Sequence, residues 1–289
     1  MIVTVTLNAA LAVSYEATAV SFDKPGELTR ARYRASGRGV TAARVLHKFG
    51  HDVLATGLAG GTAGELIAAD LARAGVEADF TRIGRESRRT FGITERDSGR
   101  TMRLSEPGPY VTTEELGRFA ADFRRLMDGA TAVVLSGTLP AGLPPEIYGS
   151  LVSYAAAAGV PAIVDADGEE LLHGARRRPG LVIHGNGAAS ELLGLGPDAV
   201  AGAEDQTVRV LTKGDGWTAE LSGADQGGMS RGALVAGLVP GLLLGWSWPD
   251  RLRHAVALAT SASPSGDVDL GRYEELLSGD LVKVERLTA

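Results

Sequence analysis

Cysteine is absent from the 289-residue chain. Without thiols there is no disulfide framework, no thiolate metal site and no cysteine nucleophile, and this usage fits a reducing compartment. Lysine is scarce: Lys24, Lys48, Lys213 and Lys283 are the whole set, which leaves 25 of the 29 basic residues as arginine. Chemistry that depends on a lysine therefore has four candidates. Aromatic residues make up 5%, so large stacking surfaces are scarce, and a net charge of −6 argues against a protein held on nucleic acid by a global basic field. A long unbroken apolar run is missing too. The longest uncharged stretch, 232–249, is interrupted by Pro240, Gly241 and Gly245 and reads as a buried helix ending in a turn. No basic region precedes the apolar start, so no signal peptide is expected, and the protein is expected to be cytoplasmic, with no membrane partner.

What remains is ordinary for a globular protein: 44% apolar, 22% charged and 39 glycines. This length allows one large α/β domain or two small ones, and it can bury about three quarters of the unfolded surface without staples. Short apolar runs alternate with helical patterns, the signature of a parallel sheet with helices on both faces. The strand candidates are 2–7, 53–58, 132–135, 162–164, 181–183 and 208–211, each followed by a small or polar residue and then a helical stretch. Functional groups in such sheets gather at the carboxyl ends of the strands. Two segments, about 13–35 and 90–104, read instead as short alternating strands without a helix. They predict a small β-lid on one 1–289 domain.

Ser36-Gly37-Arg38-Gly39-Val40 is a glycine turn feeding a helix, where backbone N–H groups can approach an anion. Four segments in order carry a resemblance. Thr4-Val5-Thr6-Leu7-Asn8-Ala9-Ala10-Leu11 resembles T-x-T-L-N-P-A-L-D, and Gly37 to Leu46 resembles G-G-K-G-x-N-V-A-R-x-L. Ser105-Glu106-Pro107-Gly108-Pro109 resembles N-E-P-G-P, and Leu135 to Gly142 resembles L-S-G-S-L-P-x-G. The chain is thereby similar, from residue 1 to about 265, to the PfkB (ribokinase-like) carbohydrate kinases, in particular the 1-phosphofructokinase and tagatose-6-phosphate kinase branch. The resemblance implies a three-layer α/β/α sandwich with a β-lid and transfer of the γ-phosphoryl group of magnesium-ATP to a ketohexose phosphate. It also implies subunits paired as a homodimer through the lid. Such a reaction asks for positioning, neutralised phosphate charge and a base for the attacking hydroxyl.

Here the resemblance breaks at the working positions. The family's G-A-G-D falls on Met229-Ser230-Arg231-Gly232, ahead of an intact apolar helix, so Gly232 stands where the family has its catalytic aspartate. A lost base costs about 10²–10⁴ in rate and a disturbed anion hole about 10²–10³. The other placement of the motif, on Ser222-Gly223-Ala224-Asp225, is followed by Gln-Gly-Gly-Met instead of a helix. The sugar-binding aspartate is Ala12, the turn asparagine is Thr41, and the turn lysine is Arg38, a planar fork in place of a point donor. In the stretch resembling K-P-N-x-x-E, Asn186 remains while the glutamate is Ala189. These replacements are far apart in sequence, converge on one cleft and spare the core.

The resemblance assigns substrate binding to Gly37, Arg38, Gly39 and Arg88, and nucleotide binding to Asn186, Thr212 and Gly214. The alternative for Arg88 is a solvated charge beside Arg85 and Arg89. Asp165 and Asp167 follow a strand and could hold a cation, Asp167 reading more simply as a helix N-cap. The five histidines have no metal-ligand spacing, so no metal is assigned. The expectation is a catalytically impaired kinase homologue that binds a phosphosugar or other anion. The alternatives are an active phosphotransferase using Asp225 or Asp215 as base, and a structural or interaction subunit.

Overall fold

The first strand, β1 (Ile2–Thr6), is Ile-Val-Thr-Val-Thr, five β-branched residues in a row, and all are buried. Such residues fit a pleated strand covered on both faces. The computed structural model describes residues 1–21, 26–185, 188–204, 206–222, 228–263 and 266–287. After β1 come β2 (Ala10–Ala17), β3 (Arg32–Ser36), α1 (Arg38–Lys48), β4 (Val53–Gly60), α2 (Gly61–Arg73), β5 (Glu77–Ile83), β6 (Arg88–Glu95) and β7 (Thr101–Ser105). The middle of the chain forms α3 (Thr113–Met127), β8 (Ala132–Ser136), α4 (Ile147–Ala157), β9 (Ala162–Asp165), α5 (Gly168–Ala175), β10 (Leu181–His184) and α6 (Ala189–Gly194). It ends with β11 (Ala199–Glu204), β12 (Thr207–Thr212), β13 (Gly216–Leu221), α7 (Arg231–Leu244), α8 (Trp248–Ser261), α9 (Leu270–Ser278) and β14 (Val282–Arg286).

Ten strands form one sheet in the order β14-β13-β12-β11-β10-β9-β8-β1-β4-β5. From β11 to β5 neighbours run parallel, and β12, β13 and β14 add an antiparallel edge. Alternate residues feed two cores. Ile2, Val134 and Ile163 pack with α1, α2, α7 and α8, whereas Val3, Val133 and Val164 pack with α3, α4 and α5. This is the expected α/β/α sandwich. The 232–249 stretch supplies α7, which continues through Pro240 and stops at Gly245 in the left-handed region. Gly237 lets α8 approach closely, since a Cβ there would stand 2.5 Å from the Cα of Ala255. Among the described residues no helix is long and apolar enough to cross a membrane.

All six expected strands form, with ends shifted by one or two residues. Two expectations need correction: no helix directly follows 2–7, which runs on into β2, and none follows 208–211. The Thr212 hydroxyl accepts from the N–H groups of Gly214 and Asp215, at 3.4 and 3.0 Å, and closes a hairpin into β13. Sequence reading also missed β5, β11, β13 and β14, whose short or charged runs lack a strong apolar signal.

The second sheet has the order β3-β2-β6-β7. It begins three residues before the expected segment, at Ala10, and two before the other, at Arg88, and these two residues are register partners. Polar and half-exposed residues dominate β6 and β7, as one would expect of a sheet not buried on both faces.

Candidate ligand-binding cleft

The carboxyl ends of β1, β8, β9 and β10 and the near edge of the small sheet face one another. Between them lies a cavity of about 870 Å³ whose lining includes Asn8, Arg38, Arg88, Arg103, Arg231 and Gly232. Two helices start at it. Neither Gly37, before α1, nor Ser230, before α7, caps its helix with a side chain, so both positive helix ends remain available.

At one end of the cavity the charges are saturated. Asp165 ends β9 fully buried, and Asp167 follows it at the start of α5. The Nε of Arg231 donates to Asp165 Oδ1 at 2.5 Å, and its Nη1 donates to Asp167 Oδ1 at 2.9 Å. Its Nη2 donates to the carbonyls of Ala166 and Ile183, at 2.9 and 3.1 Å. Arg38 Nη1 donates to Asp165 Oδ1 at 3.3 Å and Asp167 Oδ2 at 3.1 Å. The hydroxyl of Ser136 donates to the other oxygen of Asp165 at 2.5 Å. Burial raises the affinity of Asp167 for a proton, but Arg231, Arg38 and the Gly185 N–H outweigh it and hold the carboxyl below its ordinary pKa. Asp167 occupies the N-cap position of α5, yet its side chain does not cap the helix. The N-cap reading is corrected: the two aspartates hold cations, and those cations are guanidinium groups.

Gly232 lies where α7 touches α1. A Cβ on it would stand 2.7 Å from the carbonyl oxygen of Arg38 and 2.7 Å from Cβ of Thr41. Gly39 is likewise used for packing, since a Cβ would come within 2.5 Å of Thr6 Oγ1. Gly37 has φ 131°, a conformation that favours glycine, and it lines the cavity. Next to this end sits His184, 97% buried with neither ring nitrogen bonded, its pKa pushed down by burial and then by Arg231.

The opposite end is different. Arg88 starts β6, and the residues before it are anchored on three sides. Gly84 N–H donates to Glu115 at 2.7 Å, and Glu86 accepts from the Ala63 N–H of α2 at 2.7 Å. The Ser87 hydroxyl accepts from Gly60 N–H at 3.0 Å. Glu115 is itself fixed by a reciprocal capping box with Thr112 at the start of α3. Arg88 is therefore held in place before any ligand arrives. Its Nε donates to the Asn8 carbonyl at 3.3 Å, and it has no carboxylate partner among the described residues. Burial alone pushes its pKa down. Arg103 of β7 also lines this end with no ion pair among the described residues. Arg89 pairs with Glu86 at 3.0 Å.

Thus Gly37, Arg38 and Arg88 come together at one cavity. Thr212 and Gly214 do not: they line another cavity of about 1040 Å³, with Asp215 and Arg286. Asp215 is ion-paired with Arg286 there. Asn186 and Asp225 lie outside the described residues. Sequence reasoning missed Asn8, Arg103 and the part Arg231 plays. The available signal was complementary: an arginine at a motif glycine position, and two aspartates after a strand that needed a cation.

Residues 6–202 match the pfkB family carbohydrate kinase. The crystal structure of a possible 1-phosphofructokinase from Thermotoga maritima superposes with a TM-score of 0.87 at 20% identity, covering 99% of each chain. Escherichia coli phosphofructokinase-2 in complex with fructose-6-phosphate gives 0.86 at 21% identity, covering 96% of this chain and 98% of its own. A carbohydrate kinase from Agrobacterium tumefaciens gives 0.79 at 19% identity, covering 99% of each chain. At these identities the likeness to solved structures concerns the fold.

Proposed function

Since the chain belongs to the pfkB family of carbohydrate kinases, we propose that it is a member that binds a phosphosugar or similar anion without transferring a phosphoryl group. The observation that supports this is the Arg231 side chain. It stands at the second motif glycine and directs hydrogen bonds to Asp165, Asp167 and two backbone carbonyls. A glycine there leaves space for a phosphoryl group; an arginine fills it with atoms whose donors are already engaged. The neighbouring Gly232 supplies no carboxylate to take the proton of an attacking hydroxyl.

Magnesium-ATP, the family's phosphoryl donor, does not fit these residues. The carboxylates that Arg231 contacts, Asp165 and Asp167, are each engaged by two arginines, which leaves them poor ligands for a cation. The guanidinium of Arg38 is neutralised by the same pair. Arg88 and Arg103 keep uncompensated charge, and they belong to the small sheet, which we read as a lid over the cleft. A phosphate held there is the anion this charge distribution favours.

Purified protein, magnesium-ATP and a panel of free and phosphorylated ketohexoses provide the test, with ADP release as the readout. No turnover is expected. Ordinary kinase turnover, about 1–100 s⁻¹, would overturn the proposal. A thermal shift by a ketohexose phosphate and none by ATP is the expected binding pattern.

A further inference from the structure

The small sheet leaves the large domain at one row of register partners, Ser36 of β3, Ala10 of β2 and Arg88 of β6. That row is anchored on both sides. The Ala35 N–H donates to Asp70 Oδ2 of α2 at 2.7 Å, and Asp70, 94% buried, also takes the guanidinium of Arg44 from α1. Next to Arg88, the Ser87 hydroxyl accepts from the Gly60 N–H of β4 at 3.0 Å. Further out the outer strands lose their cover, with Arg32 and Tyr33 exposed on β3 and Arg103 and Leu104 exposed on β7.

Between the anchored row and the exposed rows, one side chain reaches off the sheet. Arg34 Nη2 donates to Asp267 Oδ1 at 2.5 Å. The strand alternation puts Arg34 on the face that carries Arg88 and Arg103. Asp267 stands just before α9, and the residues after it are fixed to the large domain. The Val268 carbonyl accepts from Lys48 Nζ of α1 at 2.6 Å, and the Asp269 N–H donates to the Ser261 carbonyl of α8 at 2.9 Å. Ser261 and Asp269 line the same cavity as Arg88 and Arg103, so the Arg34–Asp267 pair joins two of its walls.

The two attachments of β3 differ in kind. Asp70 and Arg44 are shielded from water, and losing either would strand a buried charge. The side chains of Arg34 and Asp267 are 35% and 61% exposed, so both find water when they part, and salt weakens their attraction. Arg34 also has a donor that the closed arrangement leaves unserved: its Nε is shielded from solvent and has no acceptor. Parting the pair hydrates that donor and offsets some of the lost contact. We propose that Arg34 and Asp267 form a latch: paired, they hold the small sheet against the α8–α9 wall, and on parting they free it to swing about the row of Ala10, Ser36 and Arg88. The latch is independent of what the cleft binds, so its failure and that of the anion-binding reading are separate results.

Hydrogen exchange followed by mass spectrometry tests this without a ligand, on wild type, Arg34→Met, Asp267→Ala and the double variant. Amides of 10–17 and 88–105 should exchange about threefold faster in either single variant, the size expected of one exposed ion pair, while those of 2–6 and 53–60 stay unchanged. The double variant should exchange no faster than the singles, because a latch already open cannot be opened again. Unchanged exchange of the small sheet in both single variants, effects that add in the double, or equal acceleration in 2–6 and 53–60 would each overturn the proposal. Should the variants fail to fold, salt decides the matter on wild type. Raising it from about 0.05 to 0.5 M is expected to speed exchange of the small sheet relative to 53–60, and a constant ratio overturns the latch.

Discussion

The two ends of the cleft carry similar numbers of arginines and opposite states of compensation. At the transfer end Arg38 and Arg231 share two aspartates, and the fully buried one, Asp165, also accepts from the Ser136 hydroxyl. At the lid end Arg88 and Arg103 have no acidic partner among the described residues. Compensated charge is structural: its field is closed within the protein and its donors are in use. Uncompensated charge on a pre-positioned, half-buried side chain, as at Arg88, is a standing cost that a ligand can offset; Arg103 is exposed and adds its charge at no such cost. The pair of ends teaches where in a cleft to look for a ligand, and it does so without reference to which motif letters are present.

The sharpest way to break the comparison is to remove the buried acid. Asp165→Ala would strand Arg38 and Arg231 in a partly buried position, and removing one side of a buried ion-pair network costs about 3–5 kcal/mol. Urea unfolding should show a lower midpoint at constant slope. A loss under about 1 kcal/mol would mean that the lock is incidental and that the transfer end is open to ligands.

A region away from the cleft shows what an uncompensated titratable group does when no ligand is involved. His254 is enclosed by Phe49, Trp246 and Tyr273, and its Nδ1 is 2.7 Å from the Tyr273 hydroxyl oxygen. Burial, with a smaller contribution from His51, pushes its pKa down to about 4 from 6.5. Between those values the unfolded chain binds a proton that the native protein refuses. The stability from neutral His254 is thus fully present above pH 6.5 and is lost as pH falls toward 4, an effect of about 3 kcal/mol in total. Denaturation midpoints measured from pH 7.5 to 4.5 should decline, and His254→Phe should flatten the decline. An equal decline in both proteins would assign the effect to other groups.

Gly232→Asp asks whether the transfer end is one residue short of activity. The added side chain would start against the Arg38 carbonyl and the Thr41 side chain, each at 2.7 Å. Overpacking of this kind costs about 1–3 kcal/mol, and Arg231 would still fill the neighbouring space. The variant should therefore be less stable and still silent in the ADP-release assay. Measurable turnover would show that the two helices can part, and would weaken the contrast between the ends.

These regions also mark what could be read from sequence. The layers were legible because residues such as Ile2, Val3, Val133 and Val134 are apolar on both faces of parallel strands, and the family because its motifs are local. The antiparallel edge was not, because β13 and β14 carry charges and gain their order from pairing. In the cleft, Gly232 and Arg38 were identifiable as replacements, but what they do depends on Asp165, Asp167 and Arg231, which lie up to 66 residues apart in sequence. Asn8 was quoted within a motif, and its side-chain oxygen is left unpaired by what packs on it, which no local pattern encodes.

The smallest stability effect has the most informative sign. Arg88→Met keeps much of the apolar stem of Arg88 and deletes a half-buried guanidinium that has one long hydrogen bond, to the Asn8 carbonyl at 3.3 Å. Were Arg88 a structural residue, its loss would destabilise the protein as Asp165→Ala does. As an uncompensated cation kept for a ligand, its removal relieves a desolvated charge. The ligand-free variant should then match or exceed wild type, within about 1 kcal/mol. Binding should move the other way: losing a charge-assisted contact to phosphate is expected to weaken a hexose phosphate by at least about tenfold. A variant that is both much less stable and unaltered in affinity would place Arg88 with the compensated residues, and the two ends of the cleft would no longer differ in kind.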